Sequence, residues 1–161
     1  LKKNILILLI GAAVIIALDQ ITKSAITARF VLHESYPVID GLFNLVYVMN
    51  PGAAFGFLAN ASETFRSVFF IGITMAVILL IAYYVVKSES DNNLYAVSLT
   101  LIFSGAVGNL IDRVRFGAVV DFLDVYIGNA HWPAFNVADS SITLGAVLMI
   151  WGMIVSRGKK D

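Results

Sequence analysis

The chain predicts an all-α membrane bundle of four transmembrane helices with a small extracytoplasmic β-sheet and a short interfacial helix. Three observations predict it. Hydrophobic residues fill 59% of 161 positions and charged residues 14%, with mean hydropathy +0.86, which is too apolar for a soluble domain of this size. Four apolar stretches each approach the ~20 residues that a spanning helix needs. Between the first two lies a segment rich in β-formers and turn residues.

The first span covers residues 4–25. Lys2-Lys3 followed by an apolar run has the look of a signal peptide. No small-residue cleavage pattern follows, however, and the run continues into Asp19-Gln20-Ile21-Thr22-Lys23, so a retained first helix is expected. In the long segment 30–66, residues 38–49 read as extended, with Asp40-Gly41 as a turn and Phe43-Asn44-Leu45-Val46-Tyr47-Val48 as a strand. Asn50-Pro51-Gly52 breaks that strand. Residues 53–66 mix apolar side chains with Asn60, Ser62, Glu63 and Thr64, which predicts a short helix at the membrane interface.

The second span, 67–86, has no charge and reads as scaffold. The third, 94–111, contains Ser104-Gly105-Ala106-Val107-Gly108, whose small residues favour close helix packing. In the fourth, 134–155, the run 142–155 supplies only 14 largely apolar residues. As a helix those reach roughly 21 Å against a hydrocarbon core of about 30 Å. The helix is therefore expected to extend back through Ser140, Asp139 and Asn136 toward Pro133. No repeat or low-complexity tract divides the chain, so residues 1–161 are read as one domain.

Basic residues near the span ends favour both termini inside: Lys2, Lys3, Lys87, Arg157, Lys159 and Lys160 fall on the cytoplasmic side, with Lys23, Arg29, Arg66, Arg113 and Arg115 outside. In that orientation Asp19 and Lys23 of span one, Asn109, Asp112 and Arg113 of span three, and Asn136 and Asp139 of span four share one depth. Such a layer suits an enzyme or a transport site, because each polar member needs partners in a dry setting.

Most other chemistries lack their residues, while a serine–lysine arrangement using Lys23 stays open although no partnered serine is evident. With 11 basic and 11 acidic residues nothing points to nucleic acid, and the absence of cysteine excludes a thiol nucleophile or a disulfide. His33 and His131 sit apart without an HExxH pattern, and no GxSxG elbow or glycine-rich phosphate loop occurs. No metal or cofactor is expected. Carboxylate chemistry is the simplest option that survives.

Asp139 inside a span costs about 2.5–3.5 kcal/mol, which makes it a functional candidate. Its plain structural alternative is a carboxylate at a helix N-terminus with Asn136 as cap. Asp121 is the proposed partner, against the alternative of an ordinary loop aspartate. Two aspartates held close cannot both ionise, so one can activate a water while the other donates a proton. Asp124 competes with Asp121, but in an extended segment the two point to opposite faces. Asp19 and Lys23, four apart, are expected to form an interfacial salt bridge with Lys23 snorkelling outward. Asp112 beside Arg113 reads as a helix-end ion pair that orders the following loop, and Asn109 and Arg113 share a helix face. Asn50 either belongs to a plain turn or offers its amide to an extended peptide.

Five blocks, in order, resemble the signal peptidase II family of intramembrane aspartyl proteases, the bacterial lipoprotein signal peptidases. They are Leu18-Asp19-Gln20-Ile21-Thr22-Lys23, Asn50-Pro51-Gly52-Ala53-Ala54-Phe55-Gly56-Phe57, Gly105-Ala106-Val107-Gly108-Asn109-Leu110-Ile111-Asp112-Arg113, Val119-Val120-Asp121-Phe122 and Pro133-Ala134-Phe135-Asn136-Val137-Ala138-Asp139-Ser140. The resemblance implies a monomeric protease of the bacterial inner membrane with an outward β-cradle and an active site near the outer leaflet. Its partners would be membrane lipid and a diacylglyceryl-modified prolipoprotein, whose signal peptide is cut off just before the lipidated cysteine. It also implies Asp121 and Asp139 as the catalytic dyad, with Asp19, Lys23, Asn50, Gly52, Asn109, Asp112, Arg113, Asn136 and Ala138 shaping the site or touching substrate. The rival functions are a small proton-coupled transporter or channel subunit and an assembly factor. The apolar cytoplasmic halves of the spans argue against a transport path.

Overall fold

The computed structural model describes residues 2–52, 61–88 and 92–157. In chain order these form α1 (Lys3–Arg29), β1 (Ser35–Ile39), β2 (Phe43–Asn50), α2 (Glu63–Lys87), α3 (Asn93–Phe116), β3 (Val119–Ile127), β4 (Ala130–His131) and α4 (Val137–Arg157). All four helices are long and apolar enough to cross a membrane. At 1.5 Å per residue their 27, 25, 24 and 21 residues reach about 30 to 40 Å.

Burial divides the helices by role. Half of the apolar window of α3 is buried, against 17% or less in the other three, so α3 is the central helix on which α1, α2 and α4 pack. Leu9, Ile21, Leu80 and Ile150 face outward and are more than half exposed, as lipid-facing side chains should be. Glycines set the approach of α3 to α4: a Cβ on Gly145 would lie 2.7 Å from the Ser98 carbonyl oxygen, and one on Gly105 would run into the Ala138 carbonyl. At the end of the bundle formed by the N-terminal halves of α1 and α3 and the C-terminal half of α2, Leu8, Ile81, Val85 and Leu99 make a buried apolar cluster.

Four helix starts or ends differ from expectation by several residues, beginning with α1, which runs to Arg29 rather than residue 25 and closes with the Phe30 N–H on the Ile26 carbonyl at 2.9 Å. α2 begins at Glu63 rather than residue 67, because Ser62 caps it by accepting from the Phe65 N–H at 3.2 Å. α3 continues to Phe116 and stops where Gly117 takes the left-handed conformation (φ 73°) and its N–H returns to the Arg113 carbonyl. α4 does not reach back to residue 134. Phe135 pairs with β3 instead, exchanging bonds with Leu123 at 2.8 and 3.1 Å, and Asn136 caps α4 by accepting the Asp139 N–H at 2.8 Å. Asp139 thus lies in the first turn of the helix.

The sheet is antiparallel with order β1-β2-β3-β4. Its first hairpin turns at Asp40-Gly41, where Gly41 has φ 79°. β2 and β3 pair Val48 with Asp121 and Asn50 with Val119, after an irregularity between Leu45 and Val48. The expected interfacial helix falls mainly on residues 53–60, outside the described residues, and residues 63–66 are the first turn of α2. Residues 53–57 of the block that begins at Asn50 are likewise outside them.

Candidate active site

Lys23 anchors the polar layer. Its Nζ lies 2.9 Å from Asp19 Oδ2, 2.8 Å from Asp112 Oδ2 and 3.1 Å from Asn109 Oδ1. The expected snorkelling does not occur: the side chain is 3% exposed, and its two carboxylates 0% and 1%. A lysine on a lipid-exposed face would reach for the interface, but the i+4 spacing from Asp19 turns Lys23 inward, where α3 supplies a second carboxylate. Asp112 accordingly pairs with Lys23 and not in a helix-end pair with Arg113.

Each carboxylate of this triad also ties down backbone. Asp19 Oδ1 accepts from the Ala138 N–H at 2.9 Å, a negative charge at the N-terminus of α4, and Asp112 Oδ2 accepts from the Val120 N–H at 3.1 Å. Asp112 therefore does order the segment leading to Asp121, as its position suggested. Gln20 Nε2 braces both, donating to Asp112 Oδ1 at 3.0 Å and Asp19 Oδ2 at 3.1 Å. Gln20 was not singled out from sequence; its place one residue after Asp19 in the same block was the available signal. Ala138 is fully buried, and Gly108 faces it, leaving no room for larger side chains at either position.

The triad positions the two amides that hold the aspartates. Asn109, fixed by Lys23 through its oxygen, donates its Nδ2 to Asp139 Oδ1 at 2.8 Å. Asn136 donates to Asp121 Oδ1 at 2.7 Å and to Asn109 Oδ1 at 3.3 Å. Asn50, from β2, donates to Asp121 Oδ2 at 2.9 Å and uses its oxygen to accept the Gly52 N–H at 2.9 Å. Asp121 and Asp139, eighteen residues apart on β3 and α4, are thus linked through Asn136 and Asn109. Asn50 therefore does both: its Oδ1 closes a turn on the Gly52 N–H while its Nδ2 goes to Asp121. The alternatives for Asp139 are not exclusive: it is both the helix N-terminal carboxylate and a member of this cluster.

Burial and charge act on Asp121 together. It is 1% exposed, and burial first, then the Asp139 carboxylate, push its pKa up to about 7 against the opposing influence of Asn50, Asn136 and Lys23. Near neutral pH it exchanges a proton readily beside a second carboxyl group. Arg113 lies within electrostatic reach of both aspartates. Asp124 is engaged elsewhere, accepting from Asn44 Nδ2 at 2.9 Å and facing His131 Nδ1 at 2.8 Å, with Tyr126 stacked on the imidazole. Of the two candidates on β3, only Asp121 enters the cluster.

Beside Asp139 opens a cavity of about 560 Å³ lined by Trp132, Phe135, Ser140, Thr143, Leu144 and Val147, mostly apolar and continuing along α4. Among the described residues no group of three or more His, Asp or Glu side chains is placed to hold a metal ion. A buried carboxyl that stays protonated to near neutrality, a second carboxyl linked to it and an apolar groove alongside are what acid–base hydrolysis of an amide in a membrane requires.

Comparison with known proteins shows similarity to signal peptidases. Residues 11–155 match the family model for signal peptidase (SPase) II. The lipoprotein signal peptidase of Syntrophus aciditrophicus is 48% identical over 161 residues, covering 100% of both chains. That of Geobacter metallireducens is 51% identical over 154 residues, covering 96% of this chain and 94% of the relative. Among solved structures, a bacterial membrane enzyme determined by the in meso method at 2.3 Å resolution superposes with TM-score 0.84 at 35% identity, covering 100% of this chain and 93% of that one. A second, at 1.9 Å, gives TM-score 0.80 at 36% identity over 95% of this chain and 93% of the other.

Proposed function

The chain belongs to the signal peptidase II family, and we propose that it works as an aspartic endopeptidase with Asp121 and Asp139 as its dyad. It is a multi-pass membrane protease that removes signal peptides from prolipoproteins. The observation that supports the aspartic mechanism best is the pair of carboxyl groups brought from β3 and α4 to adjacent members of one amide relay, Asp121–Asn136–Asn109–Asp139.

In this mechanism the ionised aspartate takes a proton from water, whose oxygen forms a bond to the scissile carbonyl carbon. The protonated aspartate gives its proton to the carbonyl oxygen. Collapse of the tetrahedral gem-diol breaks the C–N bond: the proton taken from water passes to the leaving amine, and one hydroxyl returns its proton to the other aspartate, which leaves a carboxylic acid and resets the dyad. Asn50, Asn109 and Asn136 hold the carboxyl oxygens in place, while Lys23, Asp19, Asp112 and Ala138 hold the amides and the start of α4. Arg113 balances charge. Gly52 gives the backbone the left-handed turn (φ 90°) that lets Asn50 fold back.

The lipid-modified substrate that the family resemblance implies is supported by the apolar surroundings of the dyad. A diacylglyceryl-modified prolipoprotein would lay its acyl chains in the cavity along α4, which carries the scissile bond beside the modified cysteine to Asp139. The enzyme would act as a monomeric single domain in the bacterial inner membrane, termini cytoplasmic, with the site near the outer leaflet. A proton-transport reading has no support in the comparisons, whose curated relatives are lipoprotein signal peptidases.

The test is incubation of the purified protein with a lipidated precursor, following the shortened product by mass. Asp121→Asn and Asp139→Asn should each lower turnover by about a thousandfold or more while binding and folding persist. Near-normal turnover by either variant rejects the dyad.

A further inference from the structure

The span without internal charge is not mere scaffold at one point. Phe70, on α2, reaches the site through two neighbours. Its ring lies so close to Gly52 that a Cβ built there would fall 2.9 Å or less from ring atoms Cδ2, Cε2 and Cζ. The same ring carries the Arg113 guanidinium, whose Cζ stands 5.4 Å from the ring centroid, inside the ~6 Å reach of a cation–π contact.

Both neighbours lead to the aspartates. The Gly52 N–H binds Asn50, and Asn50 binds Asp121 at 2.9 Å; Arg113 places its charge within reach of Asp121 and Asp139. Among the described residues the Arg113 head group makes one hydrogen bond, from Nη1 to the Asn109 carbonyl at 3.5 Å, the outer limit of such a bond. A long flexible cation held this loosely depends on the aromatic face under it. The ring also has a support of its own, standing edge-to-face with Phe69 at 5.3 Å.

We infer that Phe70 is a positioning residue for proteolysis: its ring sets the Arg113 charge and the Gly52–Asn50 arm against the two aspartates. This rests on the aspartic reading of the site. A leucine at 70 keeps most of the apolar bulk but removes the negative ring face that attracts the guanidinium, whereas a tyrosine keeps that face.

The experiment compares wild type, Phe70→Leu, Phe70→Tyr, Asp121→Asn and Asp139→Asn in detergent with the lipidated precursor, recording kcat, KM, the pH–rate profile and thermal unfolding. Phe70→Leu should lose roughly tenfold in kcat with KM within about twofold, because a cation–π contact in a desolvated setting is worth about a factor of ten or more. Its pH–rate profile should move to higher pH, since a cation displaced from a carboxylate pair no longer favours the charged form. Phe70→Tyr should restore both. Wild-type kcat and profile in Phe70→Leu, equal loss in Phe70→Tyr, or a loss that tracks unfolding with an unmoved profile would each overturn the inference. If the two Asp→Asn variants are inactive while Phe70→Leu is normal, only this inference fails; if they turn over normally, the dyad and this inference fall together.

Discussion

Replacing Lys23 by methionine separates a buried cation from a surface one by magnitude. Its ammonium has three oxygen partners, at 2.9, 2.8 and 3.1 Å, and two of them belong to carboxylates that are 0% and 1% exposed. Without the lysine, two buried charges face each other uncompensated. Breaking such a pair costs about 3–5 kcal/mol, whereas an exposed pair is worth about 0–1 kcal/mol. The larger figure corresponds to a shift in the folding equilibrium of roughly a hundredfold to a few thousandfold, a large share of a total stability of about 5–15 kcal/mol. Lys23→Met should therefore unfold at much lower denaturant in mixed micelles. Adding Asp19→Asn should recover part of the loss, since it removes one stranded charge while keeping an oxygen to accept the Ala138 N–H. A single-variant cost below about 1 kcal/mol, with no recovery in the double variant, would refute the reasoning.

Two further outcomes are expected from the packing and charge of the same region. Because Asp121 is held up at about 7, the folded chain binds its proton more tightly than the unfolded chain does; that contribution is full below about pH 4 and is lost as pH rises through about 7. The stability of Asp121→Asn relative to wild type should thus grow from pH 4 to pH 8 in paired unfolding curves, and a pH-independent difference would contradict the raised value. Gly108→Ala would place a Cβ 2.6 Å from Asp19 Oδ2 and 3.3 Å from Ala138 Cβ, and should cost about 1–3 kcal/mol in thermal unfolding. Gly72→Ala, with open space around its Cβ, should be neutral or slightly stabilising, and equal effects at the two glycines would show that close packing is not the cause.

Much of this arrangement is legible in the chain because a membrane makes polarity conspicuous. Against spans that are otherwise apolar, Asp19, Lys23, Asn109, Asp112, Asn136 and Asp139 stand out, and the direction of each helix puts them at one level. The strand and turn around Asp40-Gly41 follow from local residue types in the same way. What sequence could not supply was partner choice. Whether Lys23 reaches the interface or α3, and whether Asp112 meets Arg113 or Lys23, depends on the rotation of two helices about their axes, which i,i+4 spacing within one helix does not determine. Hydrophobic length misplaces the start of α4 because it takes no account of strand pairing: Phe135 satisfies its backbone with Leu123, so the helix can begin only at its Asn136 cap. Phe70 stayed hidden because an aromatic residue in an apolar span carries no signal until Gly52 and Arg113 are folded against it.

The proposed sharing of a proton between Asp121 and Asp139 can be tested without substrate. Infrared difference spectra of the purified protein, recorded from about pH 4 to pH 9, report protonated carboxyl groups directly. One buried carboxylic acid should persist at pH 6 and titrate near 7, be missing in Asp121→Asn, and titrate at lower pH in Asp139→Asn, where the like charge that lifts it is gone. No protonated carboxyl at pH 6, or a midpoint indifferent to Asp139, would mean that the two side chains do not act as a pair.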